Sequence, residues 1–193
     1  MKLILKLAGL IYLVLSIVYR VYMFLGLDYN FTIQNILTFG LNHILGVLVA
    51  LGIALVLILE HKPSIFILLL FGSLLGIFQN VMDILQYTYL DESYATIDLW
   101  IYYLPFVFHG LTLLGLLVVH TKPGKVSIVF MQTILIAYYG YQLYSVNFIS
   151  PFETTLMQTF FILYAYTHVF YAVLVMMTVL YWFRQNKVER LTN

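Results

Sequence analysis

The stretch that decides the fold of this chain is residues 104–123, LPFVFHGLTLLGLLVVHTKP. It is apolar enough to lie in hydrocarbon, and it ends in His120 and Lys122 as a membrane helix ends at a water interface. His109 interrupts the apolar run near its middle. A titratable side chain at that depth is costly, so by default it marks a candidate functional site. We therefore expect a membrane helix here, with the other helices of the chain built around its histidine.

The composition extends this interpretation to the whole chain. Of its 193 residues, 63% are hydrophobic and 9% are charged, whereas a soluble domain has about 25% charged residues. The length suits about six spans of roughly 20 apolar residues each, which leaves no room for a separate domain outside the membrane. No basic run suggests a nucleic-acid partner. The chain has no cysteine, which excludes disulfides, thiolate nucleophiles and Cys-ligated metals.

We predict an all-α, polytopic membrane protein, a bundle of six transmembrane helices with short loops that forms a single domain over residues 1–193. The predicted spans lie at about 3–27, 34–59, 64–88, 98–119, 126–147 and 155–183. Backbone polar groups at membrane depth must be satisfied within the protein, and helices joined by short turns meet that demand. The first span has two lysines but no small-residue cleavage site after it, so we expect it to be a helix and not a cleaved signal peptide.

The charged residues predict the orientation of the chain in a cell membrane. Nearly all basic residues fall at the two termini and in the second and fourth loops, while the other three loops carry only acidic charges. Cytoplasmic loops are the ones enriched in Lys and Arg, so both termini are expected in the cytoplasm.

Polar side chains recur on every predicted helix, mostly in its outer half or near its middle. Such side chains face a bundle interior or a wet cavity, because facing lipid is expensive. We therefore predict one polar chamber, open or openable to the outer side, which binds a lipid or a small molecule. Its predicted lining is Arg20, Asn42, His43, Asn80, Asp83, Gln142 and His168. Arg20 and Asp83 form a candidate ion pair. The alternative is that each polar group only joins helices, at about 0.6–2 kcal/mol per contact.

Four short segments carry a resemblance to a known family. Residues 31–39, FTIQNILTF, are similar to a Thr-bearing helix start that reads Leu-Thr-Phe followed by Asp or Asn. His109 is similar to a histidine inside a later span, and residues 120–123, HTKP, to a His- and Pro-containing cytoplasmic turn. Residues 150–153, SPFE, are similar to a Tyr-Pro-Phe-Leu-Glu segment, with Ser150 in place of Tyr. In these features the chain resembles the androgen-induced-gene family, which includes ADTRP and whose members are proposed to be intramembrane threonine hydrolases.

The resemblance implies hydrolysis of fatty acyl esters without a cofactor or metal, with a threonine nucleophile and His109 as its base. A threonine hydroxyl needs such a base, and a neutral imidazole suits that task. Two threonines compete: Thr38 lies in the Leu-Thr-Phe tripeptide, and Thr32 has the better Thr-x-x-Asn spacing. At 1.5 Å per residue, Thr38 lies roughly 12 Å below Asn30 and His109 roughly 16 Å below Asp98. This similarity in depth favours Thr38, because Thr32 lies at the rim.

Two other classes of function compete with the hydrolase. One is a b-type haem protein, since the second and fourth helices carry two histidines each, although their spacings of about 27 Å and 16 Å do not match in depth. A single haem between His43 and His109 remains open. The other is a non-enzymatic binding or transport subunit, such as the six-span substrate-binding component of an energy-coupling vitamin transporter. The chain lacks the small-residue stripe in the first helix that such subunits use for docking.

Overall fold

The computed structural model describes residues 2–26, 41–90, 100–149 and 155–189, and at several helix ends within these ranges it describes the backbone alone. Over these ranges the chain is helical, with no strand. Its helices are α1 (Lys2–Gly26), α2 (Leu41–Leu59), α3 (Lys62–Leu90), α4 (Trp100–Leu117), α5 (Lys122–Tyr144), which continues as a π-helical turn (Ser145–Ile149), and α6 (Thr155–Glu189). The prediction of an all-helical chain is confirmed for these residues.

The helix boundaries follow the apolar runs of the sequence. For α1, α3, α4 and α5 the observed ends lie within about one turn of the predicted ones. The predicted second span also includes residues 34–40, which lie outside the described residues. The last helix continues past residue 183 to Glu189, since the Gln, Lys and Glu that follow the apolar run are good helix formers.

The six helices form a closed ring. Each helix packs against the next one along the chain, and α6 packs back against α1. Neighbouring helices are antiparallel, as the pairing of Lys2 at the start of α1 with Glu60 after the end of α2 illustrates. Across the junction of the first and last helices, the Tyr12 and Tyr171 ring centroids lie 5.7 Å apart. This arrangement turns one face of every helix towards a common interior.

One end of the ring, which we name the Glu60 end, is held by ion pairs and a helix cap. The Nζ atoms of Lys2 and Lys6 lie 2.6 Å and 3.0 Å from the Glu60 carboxylate oxygens. The hydrogen bond from Lys2, together with that from Lys6, lowers the pKa of Glu60 to about 2. The backbone N–H of Gly124 donates to Thr121 Oγ1 at 3.1 Å and caps α5. These contacts join the start of α1 to the end of α2 and fix the turn between α4 and α5.

The interior of the ring changes from apolar to polar along its axis. An apolar cluster occupies the half towards the Glu60 end, and its buried members include Leu5, Leu57, Ile65, Leu116, Ile128 and Val175. Beyond this cluster the buried side chains include Ser16, Arg20, Ser73, Asn80 and His109. This division agrees with the sequence pattern, which predicts plain aliphatic residues at one end and polar residues from the middle outwards.

The outside of the ring is apolar. Large side chains such as Phe71, Leu114, Val126 and Phe130 are more than half exposed. Exposed apolar surface on this scale is unusual for a soluble protein. Among the described residues, four segments are long and apolar enough to cross a membrane: Lys2–Tyr22, Ser64–Val81, Lys122–Tyr144 and Phe161–Tyr181. Two shorter apolar helical segments, His43–Leu59 and Tyr103–Leu117, lie in the same ring. The chain therefore has the helices of a membrane protein.

Gly124 provides a test of this packing. A Cβ atom at this position would overlap the Val118 carbonyl oxygen. This oxygen belongs to the backbone, so it cannot move aside by a change of rotamer. We expect Gly124→Ala to lower the free energy of unfolding by about 1–3 kcal/mol. The matched control is Gly140→Ala on the same helix, where nothing lies within 4 Å of the added Cβ.

The control should leave stability unchanged or raise it by about 0.5–1 kcal/mol, because alanine favours a helix over glycine. Chemical denaturation in detergent, followed by circular dichroism, measures both variants. Equal stability of the two variants would contradict the close approach of Gly124 to Val118.

Candidate functional site

A small cavity lies inside the ring, in its polar half. It is lined by four helices: Tyr12, Tyr19 and Arg20 of α1, Gly72, Leu75, Gly76 and Gln79 of α3, His109 of α4, and Thr167, His168 and Tyr171 of α6. Its volume is about 30 Å³, and a buried water needs roughly 10–15 Å³ on this scale. The cavity therefore has room for about two water molecules, or for one small polar group, but not for an acyl chain.

His109 is the titratable group at the centre of the fold. Its side chain is 2% exposed, and neither Nδ1 nor Nε2 has a hydrogen-bond partner among the described residues. Its ring lies against Gly76, where an added Cβ would come within 2.8 Å of Cε1. Buried polar groups in proteins are nearly always hydrogen-bonded. An imidazole with two open nitrogens at the edge of a water-sized cavity is therefore poised to bind water or a ligand.

His168 is the second histidine of the cavity, and aromatic contacts fix its orientation. Its ring stacks on Tyr139 with centroids 4.9 Å apart and an interplanar angle of 10°. Tyr164 meets the same ring edge-on at 4.4 Å. The His109 and His168 centroids lie 5.8 Å apart. The two imidazoles thus share one corner of the cavity, and neighbouring aromatic rings hold His168 in place.

Tyr171 connects α6 to α3 across the interior. Its hydroxyl donates to the Leu69 carbonyl oxygen at 2.8 Å and lies 3.1 Å from Ser73 Oγ. Since the single phenolic proton is directed at Leu69, the Ser73 hydroxyl donates to Tyr171. These two bonds hold the phenol at the apolar boundary of the cavity, where its ring centroid lies 6.2 Å from that of His109.

Arg20 supplies the charge of the cavity. It is 8% exposed, and its Nη1 donates to Ser16 Oγ at 2.5 Å and to the Ser16 carbonyl oxygen at 3.3 Å. Gly46 leaves the room for the guanidinium, since a Cβ there would overlap it. Within the described part of the chain, no carboxylate lies within 4.0 Å of the guanidinium. The ion pair with Asp83 stays a prediction, because the Asp83 side chain lies outside the described residues.

The structure brings together three of the residues that the sequence predicts for the site. Arg20, His109 and His168 line one cavity. The two candidate nucleophiles, Thr38 and Thr32, lie in residues 27–40, outside the described residues. The side chain of Asn42 is likewise outside them, although its backbone lies in α2.

The other predicted lining residues lie elsewhere in the bundle. His43 is buried beside Tyr19, with ring centroids 6.3 Å apart. Asn80 is buried and donates to the Gly76 carbonyl oxygen of its own helix at 2.7 Å. Gln142 is half-buried on α5 and hydrogen-bonds Tyr138. None of these three lines the small cavity.

Sequence reasoning missed two glycines that shape the site. Gly72 and Gly76 lie four residues apart on α3, and an added Cβ on either would overlap a ring, that of Tyr171 at Gly72 and that of His109 at Gly76. The signal was present, because small residues at a spacing of four mark close packing in membrane helices. The missed Tyr139 has no comparable signal, since the aromatic side chains of α5 occur on several of its faces.

The described residues give no indication of a metal or a haem at this site. Among the described side chains, no three of the metal-ligating types lie close enough to hold an ion. A porphyrin does not fit in a cavity of about 30 Å³, and His43 is not one of the residues around it.

Comparison with protein-family models, with curated proteins and with solved structures gives no match. The fold and the cavity define an all-helical protein with membrane-compatible helices and a buried histidine-arginine site.

Proposed function

We propose that this chain is a polytopic membrane protein in which all six helices of the ring cross the bilayer, with both termini in the cytoplasm. The apolar outer surface supports this proposal, as do the four segments that are long enough to span. The two shorter apolar helices close the same ring, and we therefore expect them at the same depth. Lys2, Lys6 and Lys122 lie at one end of the ring, as the positive-inside rule requires of a cytoplasmic end.

Single-cysteine labelling tests this topology, because the chain has no cysteine of its own. A cysteine at Asp91 should react with an impermeant thiol reagent added outside intact cells. A cysteine at Lys122 should react only after the membrane is opened. The reverse pattern would overturn both the orientation and the predicted opening of the chamber to the outer side.

For the activity, we propose hydrolysis of a lipid ester, with a threonine nucleophile and His109 as general base. The observation that carries this proposal is the buried His109, whose two ring nitrogens are unpartnered among the described residues and which borders a water-sized cavity. A histidine with a purely structural role in hydrocarbon is expected to donate its N–H to one neighbouring group and to accept a hydrogen bond from another. An open nitrogen beside room for a water is what proton transfer needs.

The proposed reaction has two steps. In the first, His109 takes the threonine proton as the oxygen attacks the ester carbonyl, and the alcohol leaves with that proton. This step forms an acyl-threonine ester. In the second, His109 takes a proton from a water, which attacks the acyl group and releases a fatty acid while the threonine regains its proton. Gln79 lines the cavity and donates one amide N–H of Nε2 to the Tyr19 hydroxyl at 3.5 Å, so its other N–H is the donor for the oxyanion of each step.

The size of the cavity suits the reacting ester group but not the acyl chain of the substrate. Its roughly 30 Å³ accepts the reacting ester group or the hydrolytic water. The acyl chain then lies between helices or in the surrounding lipid and enters sideways. The apolar cluster at the Glu60 end closes the interior on that side.

Activity-based labelling tests the proposal. A lipophilic fluorophosphonate should modify the folded chain, and mass spectrometry should locate the adduct on Thr38 or Thr32. Heat-unfolded protein is the control, because an unfolded threonine has no base beside it. If the folded protein is not labelled, the hydrolase proposal is rejected, and the cavity is interpreted as a binding or transport cavity.

A further inference from the structure

We infer that Arg20 is the centre of a binding site for a compact monovalent anion of carboxylate size, inside the ring. This site goes beyond ester hydrolysis, because it needs neither the threonine nor His109 as a base.

The first step of the argument is the isolation of the charge. Arg20 is 92% buried in an interior that lies between apolar helices, and its Nε has no hydrogen-bond partner among the described residues. Its Nη1 is bound by Ser16, a neutral residue of its own helix. The ring centroid of Tyr19 lies 5.6 Å from the guanidinium carbon. These contacts orient the guanidinium but do not neutralise it, and buried charges in proteins are paired.

The second step is the location of the charge at the cavity. Arg20 lines the space of about 30 Å³, which is large enough for one carboxylate or two waters. The hydroxyl-bearing Tyr12 and the amide of Gln79 line the same space. Positive charge, a phenol and an amide N–H all favour an anion, and a planar guanidinium matches a carboxylate in particular.

The third step concerns the charge of the ligand. Arg20 is the one cationic side chain at this cavity among the described residues. A monovalent anion would balance it, whereas a divalent phosphate would leave an unpaired negative charge in a buried site. Size and charge therefore both favour a single carboxylate, either free or at the head of a fatty acid.

The experiment measures binding by the full chain in a neutral detergent. Formate tests the free anion, decanoate tests the lipid-borne one, and decanol has the same chain without the charge. Ionic strength is kept constant with sodium sulfate. A ligand that binds only the folded state raises the melting temperature in a concentration-dependent way, from which an apparent Kd follows. We expect decanoate to raise it and decanol not to.

Variants assign the effect to Arg20. Arg20→Gln should weaken binding by about tenfold or more, as expected for the loss of a charge-assisted hydrogen bond. Lys6→Gln removes the same charge from the same helix, but at the Glu60 end, and should leave binding unchanged. If Arg20→Gln does not fold, Tyr12→Phe keeps the charge and removes one hydroxyl from the cavity. That variant should bind decanoate a few-fold more weakly.

The outcomes separate the alternatives. A shift with both formate and decanoate indicates a site for free anions, and a shift with decanoate alone indicates a fatty-acid site. Equal shifts with decanol and decanoate, or full binding by Arg20→Gln, would overturn the inference. So would binding that appears only in Asp83→Asn, because an internal carboxylate would then occupy Arg20. Failure of ester hydrolysis leaves these results intact, since none of them requires turnover.

Discussion

If the proposed hydrolysis is correct, we expect His109→Gln to lower kcat/KM for a lipid ester by at least about 100-fold while the protein still folds. The expected loss of rate has a chemical cause. A positioned general base contributes about 10²–10⁴-fold, and the amide of glutamine cannot take up the threonine proton as a base. The retention of folding follows from structure. The imidazole nitrogens have no hydrogen-bond partners among the described residues, so their removal leaves no neighbouring donor or acceptor unsatisfied.

The measurements are hydrolysis of a fluorogenic acyl ester and thermal unfolding in the same detergent. The matched control is His120→Gln, the same substitution at an exposed histidine in the turn after the same helix, which should retain activity. A helix-joining role for His109 predicts the opposite pair of results: a lower melting temperature with turnover largely intact. That outcome would remove the base from the proposed mechanism.

Gly76→Ala perturbs the same imidazole without removing it. An added Cβ would lie 2.8–2.9 Å from three ring atoms of His109, so the ring must shift. A displacement of about 1 Å at a reacting centre can lower the rate by about 100-fold. We expect a loss of kcat that exceeds any rise in KM. An unchanged kcat would mean that the ring position is not critical for the reaction.

The sequence predicts the helices of this protein well, because a helix that lies in hydrocarbon needs a continuous apolar run, and such a run is visible in the sequence. Apolar run length alone gives the boundaries of α1, α3 and α4 to within two residues. For α5 the apolar run starts four residues late, because Thr121 and Pro123 begin the helix before the apolar residues do. Ring closure between α1 and α6 depends on contacts between residues far apart in sequence, which periodicity does not encode.

The site is predicted less completely, for a geometric reason. Polar character and depth predict Arg20, His109 and His168 as lining residues, and these three line one cavity. Asn80 has the same depth, yet its amide bonds a carbonyl group of its own helix. Polar character and depth therefore do not distinguish a residue that lines the cavity from one, such as Asn80, whose amide N–H donates to its own helix. The direction of a side chain around its helix axis depends on packing, here on Gly72 and Gly76, which let Tyr171 and His109 approach α3.

The second large effect concerns the nucleophile. Thr38→Val is nearly isosteric but has no hydroxyl, and we expect it to remove fluorophosphonate labelling and to lower turnover by at least about 1,000-fold, as the loss of a nucleophile does. The start of α2 lies beside the cavity wall, since His43 contacts Tyr19 and Gly46 meets Arg20. In the sequence, Thr38 is five residues before His43 and Thr32 is eleven residues before it. Thr38 is therefore the threonine that we expect nearer to this wall.

Thr32→Val is therefore the control, and it should retain most of the activity and of the labelling. A hydroxyl must come within about 2.6–3.2 Å of an imidazole nitrogen to pass its proton, with some allowance for an empty site. Water competes for a hydroxyl at the membrane rim, where Thr32 is predicted to lie. If Thr32→Val is the inactive variant, the nucleophile is Thr32 and the reaction takes place nearer the outer surface. If both variants remain active, neither Thr38 nor Thr32 is the nucleophile, the threonine-hydrolase proposal fails, and the cavity around His109 and Arg20 is to be treated as a binding or transport cavity.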